Sequence, residues 1–152
     1  MSVYSIGRYY DDFKVGEKIE HALSKTIFES DNNFFSLLTM NFHPVHTNSH
    51  YAAAEVHQEI LVVGTLVFSL AVGLTVPDIS GRAVANLEYS EVRHLNPVFV
   101  GDTIYASSQI LGLRVSNSDP KRGIVHVKTL VTNQRGEEVL SFERKALVKR
   151  RQ

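Results

Sequence analysis

The spacing of apolar residues changes near the middle of the chain, from a helical to a strand-like period. The run Val63–Leu74 is apolar on nearly every face, so a helix formed by it must be buried. Ahead of this run, the apolar residues of Phe34–Leu38 recur at helical spacing after Glu29–Asp31, whose side chains can cap a helix. The segment Ile19–Ile27 is strand-like. These segments therefore predict one strand, one helix after Asp31 and one buried helix.

The second half has the alternating pattern of strands. Four segments show it: Ala83–Val92, Thr103–Val115, Gly123–Asn133 and Glu137–Lys149. The residues Asn133–Gly136 are typical of a hairpin turn, with glycine where a positive φ is tolerated. Long antiparallel strands that follow one buried helix predict an α+β fold, in which an antiparallel sheet wraps around a single central helix. The chain has no repeat or linker, so residues 1–152 are expected to form a single domain.

Composition narrows the class of protein. Sixteen Lys and Arg balance sixteen Asp and Glu among 152 residues, which argues against a nucleic-acid partner and offers little resistance to self-association. The absence of cysteine removes thiol catalysis, disulfides and thiolate metal sites. We expect no export signal in Met1–Ser5 and no membrane span, since the run Ile60–Leu74 is too short. The expected location is the cytoplasm.

The richest cluster of polar groups lies in Leu38–Asn48, directly after the first predicted helix. It holds two amides, two imidazoles and Pro44. Proline forces the preceding residue out of the α region, so the helix is expected to end near Asn41–His43 and to be followed by a short irregular segment. Asn48 is then expected to cap a short helix through Tyr51–Ala54. Polar side chains on a rigid segment beside a helix end commonly form a site.

Three motifs, taken in order, resemble the MaoC-like dehydratases, the family of the (R)-specific enoyl-CoA hydratases. They are Met40–Asn48 followed by Ala52–Ala54, then Val63–Gly64, then Pro97–Thr103. The resemblance runs roughly from Phe13 to Val148. It implies a hotdog fold, which is a sheet rolled around one apolar helix. It also implies the addition of water to an enoyl-CoA thioester, or its removal from a 3-hydroxyacyl-CoA.

The chain departs from the family pattern at one catalytic position. The family's aspartate falls on Asn41, and an amide can hold a water molecule but cannot accept its proton. The family's asparagine position is His43. In this form the motif resembles the subgroup of mesaconyl-CoA (2-methylfumaryl-CoA) hydratases and their relatives.

Hydration of an unsaturated thioester needs a base for water, an acid for the α-carbon and a donor for the thioester oxygen. His46 is the best base, because imidazole titrates near neutral pH, and Asn41 would fix the water or orient the ring. The resemblance assigns the oxyanion contact to the backbone N–H of Gly64. Unpaired N–H groups in a first helical turn agree with that role, and glycine allows close approach.

Other residues are assigned to the substrate. His43, as a second acid, base or orienting group, is expected at the substrate together with Val63, Thr65, Pro97 and Phe99. No metal and no cofactor are expected, since coenzyme A belongs to the substrate. The spacing of His43, His46 and His50 would suit metal ligands on a continuous helix, but Pro44 interrupts such a helix.

Structural roles remain open for the same residues. His46 could be a hydrogen-bonded interior histidine, Asn41 a helix terminus and Gly64 a packing glycine. Asp102 is expected to be a turn residue. The remaining histidines are expected on the surface or on strands, without a function: His21, His57, His94 and His126.

The favoured function is that of a hydratase or dehydratase acting on a short enoyl- or 3-hydroxyacyl-CoA thioester, with a branched or carboxylated acyl group as an option. An acyl-CoA thioesterase and a non-catalytic acyl-CoA-binding protein remain alternatives. A homodimer or higher homo-oligomer is expected, since an open sheet edge needs to be covered.

Overall fold

Five antiparallel strands form one sheet in the order β1-β3-β4-β5-β2 in the computed structural model, which describes residues 6–152. The strands are β1 (Lys18–Thr26), β2 (Ala83–His94), β3 (Thr103–Val115), β4 (Arg122–Thr132) and β5 (Glu138–Lys149). β1 and β2 are the two edges. The four predicted strands of the second half are confirmed, and β2 continues two residues beyond its predicted end because its pairing with β5 reaches His94 and Leu140.

The buried helix α4 (Gly64–Thr75) lies against the sheet, and a π-helical turn, Val76–Ser80, continues it. Its buried side chains include Leu66, Val67 and Ala71, which pack with strand residues in one core cluster. The predicted apolar central helix and the α+β hotdog arrangement are thereby confirmed. Within residues 6–152, no helix has the length and hydropathy needed to cross a membrane.

Three shorter α-helices precede α4 among the described residues. They are α1 (Glu29–Thr39), α2 (Pro44–Thr47) and α3 (Ser49–Ala54). The predicted cap chemistry of α1 is confirmed in Asp31, whose carboxylate accepts the Phe28 N–H at 2.9 Å. Asn48 caps α3 as predicted, with its side-chain oxygen accepting the Tyr51 N–H at 3.0 Å.

The expected irregular segment after Pro44 was wrong, because Pro44–Thr47 form one helical turn. Proline suits the first position of a helix, where its missing N–H would have no partner. The His43 ring completes the turn, since its Nδ1 accepts the Val45 N–H at 3.2 Å. The helix α1 ends at Thr39, and Met40 closes it in the left-handed region at φ 59°.

A row of polar side chains crosses the interior face of the sheet between its two apolar clusters. We call this row the polar belt: His21 on β1, Ser108 on β3, Thr129 on β4 and Arg144 on β5, all buried. The placement of His21 on a strand is confirmed, but it is not at the surface. Its Nδ1 lies 2.8 Å from an Asp78 carboxylate oxygen and its Nε2 lies 2.8 Å from the Ser108 hydroxyl, so burial is made possible by two partners.

Candidate active site

His46 is partly buried on α2, and a single short contact fixes its ring. Its Nδ1 lies 2.6 Å from the Leu61 carbonyl oxygen. A carbonyl only accepts, so the neutral ring carries its proton on Nδ1 and leaves the Nε2 lone pair free of that contact. The Leu61 N–H also donates to the Val45 carbonyl at 3.1 Å, so two hydrogen bonds join this segment to α2. The arrangement suits His46 as a base.

His46 and Gly64 line the same cavity, whose volume is about 410 Å³. The cavity lies where the amino end of α4 meets the segment that follows β2. Two further imidazoles, those of His57 and His94, also line it, together with Pro97. Three histidines therefore surround the start of the central helix.

Gly64 is the first residue of α4, so its N–H belongs to the turn that has no acceptor within the helix. A Cβ atom at this position would lie 2.8 Å from Cε1 of the His94 ring. Any side chain at residue 64 would therefore displace His94. Packing against His94 thus favours glycine at residue 64, and it places the His94 imidazole beside the helix end that was expected to bind an oxyanion.

Asn32 on α1 connects these parts, and it is only 1% exposed. Its side-chain oxygen accepts the Val63 N–H at 2.9 Å, just before α4 begins. Its side-chain nitrogen donates to the His46 carbonyl at 3.3 Å. One amide thus holds the backbone of the base and the entry to the central helix in a fixed relation. Sequence reasoning missed Asn32, since only its polarity on the inner face of α1 marked it.

Asn41 does not line the cavity that His46 and Gly64 share. Its side-chain oxygen accepts the His43 N–H at 3.4 Å, and its backbone N–H donates to the Ser36 carbonyl at 3.0 Å. These are the contacts of a helix terminus. Its role in holding water stays a prediction.

The five residues expected to contact the substrate do not all lie at the cavity that His46 and Gly64 line. Pro97 lines the cavity, and Phe99 packs edge-on against the His57 ring at 5.6 Å. His43 caps α2 and lies 6.1 Å from His46, measured between ring centroids. Val63 is buried with its N–H bonded to Asn32, whereas Thr65 is exposed. Pro97 therefore joins the His46 cavity directly, Phe99 borders it through His57, and the substrate contacts of all five residues stay predictions.

His57 and His94 were expected to have no function, yet both line the cavity. Neither histidine lies in a sequence motif that would mark it as functional. His94 ends β2 and reaches Gly64 only because β2 runs back along the central helix, a contact between residues far apart in sequence.

The turn before β3 is held by Asp102, whose expected turn role is confirmed. Its carboxylate accepts from the Phe99 N–H at 3.0 Å, from the Gln134 amide at 2.8 Å and from Arg135 at 3.2 Å. Burial alone raises the pKa of Asp102, but these donors outweigh it and hold the pKa below its usual range. The segment Pro97–Thr103 is thus fixed by a charged anchor.

Metal ligands are not grouped near this site. Among residues 6–152, no three histidine, aspartate or glutamate side chains are placed so that they could hold one ion. The contact between His43 and the start of α2 accounts for one of the three spaced histidines.

Comparison with known proteins assigns most of the chain to one family. A sequence model of the MaoC like domain matches residues 12–133. The mesaconyl-CoA hydratase of Cereibacter sphaeroides is 40% identical over 95% of this chain, and the β-methylmalyl-CoA dehydratase of Chloroflexus aurantiacus is 35% identical over 95%. The chain spans only 42% and 41% of these two relatives.

A solved structure from Mycobacterium tuberculosis, described as a double hotdog fold, superposes with a TM-score of 0.87 at 25% identity. The match covers 95% of this chain and 45% of that one. The fold found here therefore corresponds to about one half of that longer chain.

Proposed function

The chain belongs to the MaoC-like family, and from this membership we propose that it adds water to a short, branched enoyl-CoA thioester or removes water from the corresponding 3-hydroxyacyl-CoA. Two relatives named for mesaconyl-CoA and β-methylmalyl-CoA support this class of substrate. The finer proposal is that the acyl group carries a carboxylate, as the mesaconyl and β-methylmalyl groups in the names of these relatives do.

One observation carries the proposal. The Nδ1 of His46 is bonded to the Leu61 carbonyl at 2.6 Å, and the same ring lines a cavity with the first residue of α4. A base with a defined tautomer and a helix amino terminus thus meet at one place. Hydration of a thioester needs a base, an acid and a donor to the thioester oxygen; the imidazole serves as the base and then as the acid, and the helix terminus supplies the donor.

In the proposed reaction, Nε2 of His46 takes a proton from a water molecule. At the same time the oxygen of that water molecule bonds to the β-carbon of the acyl group. The electrons of the double bond move toward the thioester oxygen, which accepts a hydrogen bond from the Gly64 N–H. The imidazolium then returns its proton to the α-carbon. The positive end of the helix dipole favours the transient negative charge.

Two further expectations accompany this function. The protein acts as a homodimer or higher homo-oligomer, because β2 leaves an open edge with exposed apolar side chains. It works in the cytoplasm, where acyl-CoA thioesters are made and used, and it requires no metal or other cofactor.

The test is a direct assay of the protein with mesaconyl-CoA and with crotonyl-CoA, following the loss of enoyl thioester absorbance. Loss with at least one thioester, without release of free thiol, is the expected result. Release of thiol, read with a thiol-reactive dye, would identify a thioesterase instead. Absorbance unchanged with both compounds would reject the proposal.

Asn41 motivates a second candidate function, that of a non-catalytic acyl-CoA-binding protein, because its observed contacts are those of a helix terminus. The substitution Asn41→Asp separates the two. A working hydratase that relies on the amide loses activity in this variant. A rise from almost no activity would instead identify a binding protein that has lost its catalytic carboxylate.

A further inference from the structure

The proposed reaction gives the thioester oxygen a single donor, the Gly64 N–H. No described residue accepts a hydrogen bond from this N–H, so it is available to a substrate. A carbonyl oxygen has two lone pairs, and fixed donors aimed at the charge that develops there are usually the largest contribution to this kind of catalysis. A second donor at the start of α4 would therefore complete the site.

The imidazole of His94 lies at the required place. A Cβ atom on Gly64 would lie 2.8 Å from Cε1 of this ring, 3.0 Å from Nε2 and 3.4 Å from Nδ1. The nitrogen-bearing end of the ring is therefore next to Gly64. Both residues line the cavity that His46 also lines, so the His94 ring and the amino end of α4 border one common space.

The Gly64 nitrogen and Nε2 of His94 are close enough for one oxygen atom to bridge them. By standard bond lengths, a Cβ atom lies about 2.5 Å from the backbone nitrogen of its own residue. Since Nε2 is 3.0 Å from that Cβ position, the two nitrogens are at most about 5.5 Å apart. An acceptor about 2.9 Å from each donor fits between nitrogens up to about 5.8 Å apart. One thioester oxygen can therefore lie within hydrogen-bond distance of both.

The backbone beside His94 is held in place, whereas its ring has no hydrogen-bond partner among residues 6–152. His94 is the last residue of β2. Directly after it, the Leu95 N–H donates to the Val139 carbonyl at 3.0 Å, and the Asn96 side chain donates to the Glu138 carbonyl at 2.7 Å. The ring is exposed, so a substrate in the cavity can reach it.

On the basis of the proposed function, we infer that His94 is a second oxyanion donor, whose Nε2–H donates to the same thioester oxygen as the Gly64 N–H. Either the neutral tautomer protonated at Nε2 or the imidazolium can supply this hydrogen bond, and the ring keeps its proton throughout. His46 still takes the proton from water and returns it to the α-carbon. The close packing of His94 on Gly64 then has a catalytic purpose, because it brings the imidazole beside the helix end.

Variants of His94 test this role in the hydration of crotonyl-CoA and mesaconyl-CoA. His94→Leu keeps apolar bulk without a donor, whereas His94→Gln keeps an N–H near the place of Nε2 that cannot act as an acid. We expect kcat to fall about 100-fold in His94→Leu with KM almost unchanged, because the hydrogen bond strengthens as charge develops. His94→Gln should keep most of the activity. Arg93→Leu, at the preceding exposed position of β2, where the guanidinium pairs with Glu91, is the matched control and should change neither constant.

A saturated thioester gives a readout that does not depend on turnover. Butyryl-CoA has no double bond to hydrate, and each hydrogen bond to its thioester carbonyl lowers the infrared stretching frequency of that carbonyl. With an isotope-labelled carbonyl, we expect the frequency of the bound thioester to be lower in the wild-type protein than in His94→Leu. His94→Gln should lie close to the wild type. Equal frequencies in the three proteins would overturn the inference.

The kinetic outcomes separate the possible roles of His94, once thermal unfolding has shown that each variant is folded. Equal losses of kcat in His94→Leu and His94→Gln would mean that the ring transfers a proton, which also overturns the inference. A wild-type protein that hydrates a thioester, together with a fully active His94→Leu, would refute the inference and leave the proposed function standing. A wild-type protein inactive toward both thioesters would remove the proposed function and the inference with it.

Discussion

His46 is the residue on which the proposed chemistry depends most directly. The variant His46→Asn keeps a side-chain N–H close to the place of Nδ1, which can donate to the Leu61 carbonyl, but it cannot accept a proton from water. We expect kcat to fall about 100- to 10,000-fold, the usual range for loss of a general base, with Tm almost unchanged. Enoyl absorbance and thermal unfolding measure the two effects. Full activity in this variant would show that another group takes the proton, with His57 and His94, which line the same cavity, as the candidates.

Asp102 makes the stability of the protein depend on pH, and the sign of this dependence follows from the lowered pKa of its carboxyl group. Its folded-state pKa is below the ordinary value because of the Phe99, Gln134 and Arg135 donors that outweigh burial. Its contribution is therefore complete above the unfolded pKa and is lost as pH falls through the lower folded pKa. We expect Asp102→Asn to lower the free energy of unfolding by about 1–3 kcal/mol at neutral pH.

The check is urea unfolding of both proteins from pH 7 down to pH 3. The difference between them is expected to be constant above about pH 5 and to shrink below about pH 4, near the ordinary aspartate pKa. A difference that stays the same down to pH 3 would mean that the Asp102 charge is not what the variant removes.

Single polar residues inside the fold were the least predictable feature at this scale. The strand-like patterns of β1 and β5 predicted strands, but they gave no sign that His21 and Arg144 would be buried. Their burial depends on groups far away in sequence, such as Asp78 for His21 and Thr75 for Arg144. The motif in the sequence therefore pointed to His46, which lines the candidate cavity, but nothing in the sequence marked Asn32, His57 or His94, which have no motif.

At the scale of elements, the relation between α1, α2 and α4 depends on Asn32. The variant Asn32→Asp keeps an acceptor for the Val63 N–H but loses the donor to the His46 carbonyl. We expect it to lower stability by about 1–3 kcal/mol and kcat at least about tenfold, since small displacements of a catalytic group are costly. Asn33→Asp, at the exposed neighbouring position, is the matched control and should change neither. Equal effects of the two variants would contradict a positioning role for Asn32.

Glycine at residue 64 has two possible reasons: packing against His94 at the end of β2, and close approach of the thioester to the start of α4. A substitution at this contact tells them apart. Gly64→Ala places a Cβ within 2.8 Å of the His94 ring, so we expect activity to fall about 100-fold or more, as for an oxyanion donor that is displaced. The double variant with His94→Ala removes the clash. Recovery of kcat in the double variant to the level of His94→Ala alone means that glycine serves packing, whereas a loss beyond that of His94→Ala means that the thioester itself needs the close approach.

Elements with a long regular pattern were predicted well, and short ones were not. The period of apolar residues is repeated many times in α4 and in β3 to β5, so their faces are fixed by burial. The single turn Pro44–Thr47 has too few residues to show a period, and the proline that suggested a break instead occupies its first position. Its actual conformation depends on the cap that His43 supplies.

At the scale of the whole molecule, the two edges of the sheet differ in what they border. β1 ends beside α1 and contributes His21 to the polar belt. β2 borders the candidate site through His94, and Tyr89 of β2 pairs with Arg144 of the belt. Coverage of the β2 edge by a second copy would therefore bring two sites and two belts into one assembly. The same face of the sheet would then continue from one copy to the next.

Paired substitutions on the two edges test this arrangement. Leu87 on β2 is 50% exposed and Leu23 on β1 is 49% exposed, so Leu87→Glu and Leu23→Glu add the same charge at equally exposed positions. We expect Leu87→Glu to shift the protein toward the monomer at micromolar concentration, because a charge on the β2 edge opposes its pairing with a second copy. Leu23→Glu should leave the oligomeric state unchanged. Light scattering combined with activity measured over a dilution series provides the comparison; a wild-type monomer that is fully active at all concentrations would contradict the role assigned to the β2 edge.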